Sequence, residues 1–414
     1  MVGAVAGLLA SAFRNVLAAA SDWRDDLTGW ADDAGPLGAV VAVAAIAAAI
    51  TLSVWLVRRF APRAAGSGIP DVERVLLHEA AAPRPVAVPV KFVAGTLSIG
   101  GGLALGREGP TVQMGGVVGH VAGGLGRRLP ERELLMTAGA AAGLAAAFNA
   151  PLAGVLFVIE ELLHRFSTRL LAAALVATAT AIAVLRAWLG SELDLPLPAF
   201  DVQPSAVLIA CALLGVVAGV LGVVFNRTLL ATMDEIERVR RIPPLVITLG
   251  VGLIVGLVAW RFPNVVGSGY PLAQDALTGD PAVGAMLAIL AGRFALTVGS
   301  YGIGAAGGLF APLLVIGAEL GRIGGELAHD VAPGAVPDAA ALAVAGMAAV
   351  LVASVRAPLT AIVLILEMTG AFTLLLPVLV ACAAAYVVPA ALGDDPIYDA
   401  LRTRATTTGG DRRS

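Results

Sequence analysis

Two acidic residues of this chain lie inside apolar stretches, where a charge is costly. Glu108 follows Arg107 in GGGLALGREGPTVQMGGVVG (residues 100–119), and Glu161 ends NAPLAGVLFVIEE (residues 149–161). A charged side chain at the centre of a bilayer costs about 2.5–3.5 kcal/mol on insertion scales, so acids kept there indicate a function. Desolvation disfavours the charged form of a buried carboxyl group. The chemistry that these residues indicate is the uptake and release of a proton.

Glu108 lies in one of three stretches rich in glycine and proline that precede apolar runs. They are GSGIP (residues 66–70), GREGP (106–110) and GGLFAP (307–312). A helix that begins inside a membrane presents free N–H groups and about half a positive charge at its N-terminus, where an anion can bind. We therefore predict that the three stretches converge on an anion site. The alternative is that their glycines only allow helices to pack closely.

The carboxylate of Glu108 is itself an anion and can occupy such a site. We predict two states: an ionised glutamate that blocks the site, and a protonated glutamate that a permeant anion displaces. The insertion cost of Glu108 would then be offset by N–H groups that bind anions. A static ion pair with Arg107 is the alternative, and it is disfavoured because adjacent residues on a helix do not face each other.

The elements that hold these residues must lie in a membrane. Of the 414 residues, 58% are hydrophobic and 14% are charged, whereas a soluble domain has about 25% charged residues. Four apolar runs reach or approach the roughly 20 residues that a spanning helix needs. They cover residues 35–57, 168–188, 204–229 and 284–300. Because Ala and Leu dominate and do not alternate with polar residues, we predict an all-α polytopic membrane protein.

The chain also repeats itself at a nearly constant spacing. GSGIP returns as GSGYP, GREGP aligns with GLFAP, and AGAAAGLAAAFNAPLAGVLFVIEE aligns with AGMAAVLVASVRAPLTAIVLILEM, at offsets of 201, 202 and 207 residues. Matching segments broken by Gly and Pro in two halves are typical of transporter binding sites near the membrane midplane. The predicted units are a first membrane repeat (1–193), a linker (194–204), a second membrane repeat (205–393) and a C-terminal helix with a polar tail (394–414).

One break within the first repeat is explicit in the sequence. Apolar segments 135–147 and 151–163 are each too short to span a bilayer, and Asn149-Ala150-Pro151 separates them. The residue before a proline leaves the helical region. Broken helices occur in membranes only where they are buried in protein or line a cavity, so this break is expected near the site.

The alignment of the two halves separates structural acids from functional ones. Glu160 aligns with Glu367, which favours a structural carboxylate present in both halves. Glu108 and Glu161 align with uncharged residues. Acids that occur in one half only are the better candidates for function.

Lys91 is the only lysine of the chain. It either snorkels at a helix end or places a point positive charge beside the anion pathway. The histidines and cysteines form no ligand set and no disulfide framework, and GIGAAG (302–307) lacks the preceding strand of a dinucleotide site. We therefore expect no metal and no cofactor. The net charge of −3 gives no indication of a nucleic-acid partner.

GSGIP, GREGP and GLFAP in this order, with NAPLAGVLFVIEE between the second and third, resemble the CLC family of chloride channels and chloride/proton antiporters. The resemblance covers nearly the whole chain, and VPVKF and DPIYDAL (395–401) also match. It implies two inverted repeats of tilted and broken helices, and a homodimer with a separate pathway in each subunit. It also implies a multi-pass protein in the lipid bilayer of a prokaryotic plasma membrane. We expect the sequence to begin within the first membrane helix, without the family's N-terminal cytoplasmic helix, and we expect no C-terminal regulatory module.

The resemblance implies a role for each matching residue. Glu108 would be the gate and outer proton acceptor, and Glu161 the inner proton relay. The Ser67 hydroxyl would bind chloride, and the Tyr398 hydroxyl would close the inner side. The residues that would bind chloride are Ser67, Gly68, Ile69, Gly109, Leu309, Phe310 and Tyr398, with backbone N–H donors at Leu309 and Phe310. Lys91 and Arg107 would set the electrostatics of the pathway.

The resemblance also favours one branch of the family. Passive channels typically carry a neutral residue at the position of Glu161, so a glutamate there favours exchange of chloride for protons. A passive chloride channel of the same fold is the alternative. Ser67 favours chloride over nitrate, and neither departure typical of the fluoride branch occurs. An intramembrane enzyme is the rival from another class, but the sequence offers no HExxH motif, and no histidine lies near Ser67 in the sequence.

Overall fold

The computed structural model describes residues 1–124, 129–197, 200, 205–239, 241–279, 282–334, 336 and 338–410. This part of the chain is helical apart from loops and two isolated β-bridges, and seven of its helices are long and apolar enough to cross a membrane. The predicted all-α polytopic fold is confirmed. Most of the predicted linker (198–199 and 201–204) and residues 411–414 of the predicted tail lie outside the described residues.

The described helices are α1 (Val2–Asp33), α2 (Gly35–Phe60), α3 (Ile69–Leu76), α4 (Ala87–Gly95), α5 (Glu108–Gly124), α6 (Leu129–Phe148), α7 (Pro151–Phe157), α8 (Thr168–Leu189), α9 (Val207–Arg238), α10 (Pro244–Arg261), α11 (Tyr270–Thr278), α12 (Val283–Gly302), α13 (Phe310–Val331), α14 (Ala339–Val355), α15 (Pro358–Thr369), α16 (Leu375–Ala391) and α17 (Ile397–Gly410). Short π-helical turns follow α4 (Thr96–Gly100) and α7 (Val158–Leu162), and 3₁₀ turns cover Pro62–Ala64, Pro263–Val265 and Phe372–Leu374. The four apolar runs predicted to span correspond to α2, α8, α9 and α12.

The break between α6 and α7 occurs where the sequence predicts it. Asn149 adopts a left-handed backbone conformation with φ of 51°, and Pro151 begins α7. Arg356 has φ of 68° between α14 and α15, at the matching position of the second half. The predicted length of the first segment was too short, because α6 begins at Leu129 and has 20 residues.

The three loops that precede α3, α5 and α13 meet in the centre of the fold. Gly106 and Gly308 exchange two backbone hydrogen bonds, with N–H to O distances of 2.9 and 2.7 Å. Gly66 accepts from the Gly307 N–H and donates to the Ala305 carbonyl, each at 3.1 Å. These crossings bring the starts of α3, α5 and α13 together, as expected for an anion site.

Some of the repeated glycines do serve close packing instead. A Cβ atom on Gly115 of α5 would overlap the Gly139 carbonyl of α6, and one on Gly139 would overlap that of Gly115. Gly317 and Gly346 have the same relation between α13 and α14. The packing alternative is therefore right for these glycines, and those of the three loops need a separate explanation.

Candidate anion and proton pathway

The start of α13 binds the carboxylate of Glu108. Oε1 of Glu108 accepts from the Phe310 N–H at 2.8 Å and from the Ala311 N–H at 3.4 Å. Glu108 is fully buried, and its Oε2 has no hydrogen-bond partner in the described part of the chain. The donors to the carboxylate are thus Phe310 and Ala311, the first two residues of α13 after its N-cap Leu309. Chloride binding by the N–H groups of Leu309 and Phe310 stays a prediction.

Two glycines form the walls around this carboxylate. A Cβ atom on Gly106 would overlap both carboxylate oxygens of Glu108, and one on Gly308 would overlap Oε1. A side chain at either position would push Glu108 away from α13. The crossing of the two loops therefore creates the space in which an acid, or an anion of similar size, meets free N–H groups.

Ser67 and Tyr398 meet on the other side of the start of α5. Both side chains are fully buried and close together, yet neither hydroxyl has a hydrogen-bond partner of normal geometry in the described chain. A Cβ atom on Gly109 would overlap the Ser67 hydroxyl, so α5 begins directly against it. Buried hydroxyl groups without partners are costly. Two of them side by side indicate a ligand that accepts O–H bonds, such as an anion.

Gly68 and Ile69 place Ser67 at this point. Gly68 has φ of 89°, a left-handed conformation that favours glycine, and it is the N-cap of α3. Ile69 is the first residue of α3 and is fully buried. Their backbone role in chloride binding remains a prediction.

An aromatic cluster lies beside the Glu108 site. The Phe310 ring stacks on the Tyr398 ring with centroids 6.0 Å apart. It also contacts Phe148 at 6.2 Å and Phe157 at 6.0 Å. Phe157 ends α7, and the π-helical turn that follows carries Glu161. Glu108 and Glu161 are therefore both adjacent to this apolar cluster and are not paired with each other.

Glu161 lies in the π-helical turn after α7, in a charged environment. It is 6% exposed, and the charged groups acting on it are Glu73, Asp399, Glu160 and Arg402. Arg402 of α17 is paired with buried Glu73 at 3.2 Å and with Asp399 at 3.0 Å. A proton released from Glu161 thus has further carboxylates close by.

Glu160 and Glu367 cap each other's broken helices. The Glu160 carboxylate accepts from the N–H groups of Leu359 and Thr360 at the start of α15, at 3.0 and 2.8 Å. The Glu367 carboxylate accepts from Leu152 and Ala153 at the start of α7, at 3.1 and 2.9 Å. This reciprocal arrangement confirms that Glu160 is a structural carboxylate.

Lys91 does not snorkel, so that alternative is wrong. Its side chain is fully buried, and its ammonium group donates to the carbonyls of Ala64 at 2.8 Å and Gly66 at 2.6 Å. The positive charge therefore lies directly behind the loop that carries Ser67. Its influence on anions remains a prediction.

Arg107 is not paired with Glu108. Its Nη2 lies 2.6 Å from Asp194 Oδ2, its Nε donates to the Ala147 carbonyl at 2.9 Å, and its guanidinium lies 4.8 Å from the Tyr270 ring centroid. Asp194 also pairs with Arg14 at 2.6 Å. The static Arg107–Glu108 pair is thus not formed.

Two cavities are lined by residues that neighbour Glu108 or Ser67 in the chain. We call the first the Arg107 mouth; it has a volume of about 250 Å³ and is lined by Arg14, Leu17, Ala18, Ser21, Ile99, Arg107, Asp194, Ser268 and Tyr270. We call the second the Arg63 mouth; it has about 240 Å³ and is lined by Pro62, Arg63, Ala65, Gly66, Gly68, Pro70, Asp71, Arg74, Met233, Tyr301, Gly304, Leu401 and Ala405.

Three residues of this region were missed by the sequence reasoning. Asp194 stands alone in a proline-rich stretch, and no local pattern marks it. Tyr301 lies within an apolar helix, where a tyrosine is unremarkable. Arg293 could have been found, because it aligns with Lys91 at the offset of 202 that relates GREGP to GLFAP.

Comparison with known proteins adds to this geometry. The family model described as voltage gated chloride channel matches residues 49–390. The H(+)/Cl(-) exchange transporter ClcA of Vibrio parahaemolyticus is 37% identical over 98% of this chain and 88% of the relative, and that of Klebsiella pneumoniae is 39% identical over 98% and 87%. A crystal structure of a slow cyanobacterial Cl⁻/H⁺ antiporter has a TM-score of 0.93 and 36% identity, covering 98% of this chain and 96% of the other.

Proposed function

Because the chain belongs to the voltage-gated chloride channel family, the CLC family, we propose that it exchanges chloride for protons across a bacterial plasma membrane. Relatives of similar length and 37–39% identity carry the name of this activity. The observation that carries the proposal is the Glu108 carboxylate bound at the start of α13, because it unites a proton-binding group and an anion site in one place.

The coupling would arise from competition at the start of α13. An ionised Glu108 holds the Phe310 and Ala311 N–H groups, so chloride cannot bind there. Protonation removes the charge that those N–H groups and the helix dipole stabilise. The neutral side chain then leaves, and chloride takes its place. Return of the carboxylate expels the chloride and releases the proton, so the two ions move in opposite directions.

A second chloride position is proposed between the Ser67 and Tyr398 hydroxyl groups. Both are buried donors without a partner in the described chain, and chloride would satisfy both. Gly68, Ile69 and Gly109 hold the backbone around this position, while Leu309 and Phe310 lie at the start of α13. Lys91 would favour an anion there through its charge on the far side of the Gly66 carbonyl.

Glu161 is proposed to pass protons between Glu108 and the Arg402 side of the protein. The aromatic cluster around Phe310 offers no titratable group other than Tyr398, so protons would cross this layer on water molecules. We assign the Arg107 mouth to the outer side and the Arg63 mouth to the inner side. Asp194 would hold Arg107 at the outer entrance, where its charge attracts anions.

The assembly is proposed to be a homodimer in the lipid bilayer with one pathway per subunit. The support is family membership, together with the spanning helices of this chain. The division into repeats at residues 1–193 and 205–393 is also a proposal. The crossings between matching loops support it.

The proposed exchange is tested with purified protein in liposomes that hold a chloride gradient. External pH is recorded while chloride moves, with the membrane voltage set near the chloride equilibrium potential. Uphill proton movement driven by chloride would establish exchange. Chloride movement without protons would instead establish the passive channel, and Glu161 would then be a structural acid.

A further inference from the structure

We infer that the Tyr301 hydroxyl competes with chloride for the backbone N–H of Ser67 at the Arg63 mouth. It would be the second group of this chain, after the Glu108 carboxylate, to take the place of chloride on a backbone N–H. This inference rests on the proposed function. It assigns a role in chloride affinity to a residue that no sequence motif marks.

The contact is direct and lies in the interior. Tyr301 is near the C-terminal end of α12 and is 4% exposed. Its hydroxyl oxygen accepts a hydrogen bond from the Ser67 N–H at 3.2 Å. The same hydroxyl would lie 2.9 Å from a Cβ atom on Gly66, so it sits against the loop that carries Ser67.

Ser67 therefore offers two donors that point to different tyrosines. Its side-chain hydroxyl lies beside Tyr398 without a hydrogen-bond partner in the described chain. Its backbone N–H donates a hydrogen bond to the Tyr301 hydroxyl. Tyr301, Gly66 and Gly68 all line the Arg63 mouth, so an anion arriving through this cavity meets the Ser67 N–H only if the Tyr301 hydroxyl moves away.

The two ends of the proposed pathway thus have the same arrangement with different chemistry. At one end the Phe310 N–H donates to the Glu108 carboxylate at 2.8 Å, and at the other the Ser67 N–H donates to the Tyr301 hydroxyl at 3.2 Å. Charge-assisted hydrogen bonds are roughly twice as strong as neutral ones. Chloride can therefore displace the neutral tyrosine without a proton, whereas displacement of the carboxylate requires one. Tyr301 would set chloride affinity at its end and leave the proton coupling to Glu108.

A purely structural role is the competing explanation. Buried tyrosine hydroxyl groups usually find a partner, and the Ser67 N–H could serve only for that. In this case removal of the hydroxyl would change stability but not chloride binding. If Tyr301 stands in for chloride, the same removal frees an N–H for the anion.

The test is Tyr301→Phe, which deletes the hydroxyl and keeps the packing of the ring. Chloride binding is measured in detergent by calorimetry, so the result does not depend on transport. A neutral hydrogen bond has a net value of about 0.5–1.5 kcal/mol, so chloride should bind roughly 2–10 times more tightly. Tyr386→Phe is the matched control, because Tyr386 is 43% exposed, and its affinity should equal that of the wild type.

Bromide soaked into crystals locates the effect through its anomalous scattering. A stronger bromide peak beside the Ser67 N–H in Tyr301→Phe than in the wild type would support the inference. Unchanged or weaker chloride binding, or equal bromide peaks at that N–H, would overturn it. A wild type that binds no chloride would overturn the proposed function as well, which keeps the two failures distinct. In liposomes the proton-to-chloride ratio of Tyr301→Phe should stay that of the wild type.

Discussion

Lys91 and Arg293 are buried cations at equivalent positions of the two halves, but only Arg293 has a buried acid acting on it. Lys91 donates to the Ala64 and Gly66 carbonyls, and Arg293 donates to those of Val265 and Gly267. The acid acting on Arg293 is Glu319, itself buried in α13.

The acid acting on Lys91 is, by contrast, already engaged elsewhere. It is Asp71, which is paired with Arg63 at 2.6 Å and accepts from Gln113 at 3.1 Å. Because Asp71 is shared with Arg63 and Gln113, we expect the charge of Lys91 to be less compensated than that of Arg293. A buried cation with little compensation favours anions nearby, and the loop behind which it lies is the one that carries Ser67.

The same contrast holds for the acids. Glu160 and Glu367 occupy equivalent positions and each accept two backbone N–H bonds at a helix start in the other half, so they maintain the fold. Glu108 aligns with Phe310 of the second half, and in the structure its carboxylate accepts a hydrogen bond from the N–H of that same residue. Under the proposed function, the second half supplies the N–H groups of the anion site and the first half supplies the acid that competes for them. Residues that match in the two halves stabilise the fold, whereas Glu108, which has no acidic match, is the candidate for function.

The largest effect is expected from Glu108→Gln, which removes the acid that only one half has. A neutral amide cannot be held at the start of α13 as an anion, so proton coupling should be lost completely while chloride passes. In the wild type, chloride flux should rise as pH falls, because protonation frees the site; in the variant it should not depend on pH. Liposome flux across a pH series measures both. Exchange that still follows pH in the variant would rule out the gate role.

Glu161→Gln should have the next largest effect. Proton movement should stop, because the inner relay is lost. Chloride should still pass, at a rate that depends on the protonation of Glu108. The matched control is Glu367→Gln, a carboxyl group that caps α7 and faces no proton path. The comparison is made by recording proton and chloride fluxes in the same liposomes. Normal proton flux in Glu161→Gln would place the relay elsewhere.

Glu160→Ala and Glu367→Ala should lower stability to similar extents. Each removes a carboxylate that accepts two backbone N–H bonds at a helix start, and Glu160 also accepts from the Thr360 hydroxyl at 2.8 Å, so its loss should be the somewhat larger of the two. Hydrogen bonds to charged groups are worth about 1.5–3 kcal/mol each, so a loss on the order of 2 kcal/mol or more is expected for either variant. Denaturant unfolding in detergent measures it. A large loss for one variant and none for the other would show that the two caps are not equivalent.

Much of this arrangement could be predicted from the sequence, because it follows from local patterns. The helices follow from apolar runs, the breaks from Asn149-Ala150-Pro151 and its match at Arg356, and the importance of Glu108 from its lack of a counterpart. The contact between the Glu108 carboxylate and the Ala311 N–H could not be predicted, since the exact start of α13 depends on the loop crossing at Gly308. Helix ends are set by such contacts.

Other parts of the site depend on contacts between distant residues. Arg107 was assigned to the pathway, but its partner Asp194 lies 87 residues away and only the folded chain brings them together. The Tyr301–Ser67 bond joins residues 234 positions apart. No propensity or spacing encodes such pairs. The sequence allowed Lys91 either to snorkel at a helix end or to place a charge beside the anion pathway, and its complete burial excludes snorkelling.

The comparison of Lys91 with Arg293 leads to the smallest predicted effect. Lys91→Met removes the less compensated charge and should weaken chloride binding about fivefold, or about 1 kcal/mol. Arg293→Met removes a charge on which Glu319 acts, so it should lower stability with much less change in chloride affinity. Calorimetric titration with chloride, alongside unfolding in detergent, separates the two effects. Equal losses of chloride affinity in both variants would mean that the charges act alike and that the asymmetry of the halves resides in the acids alone.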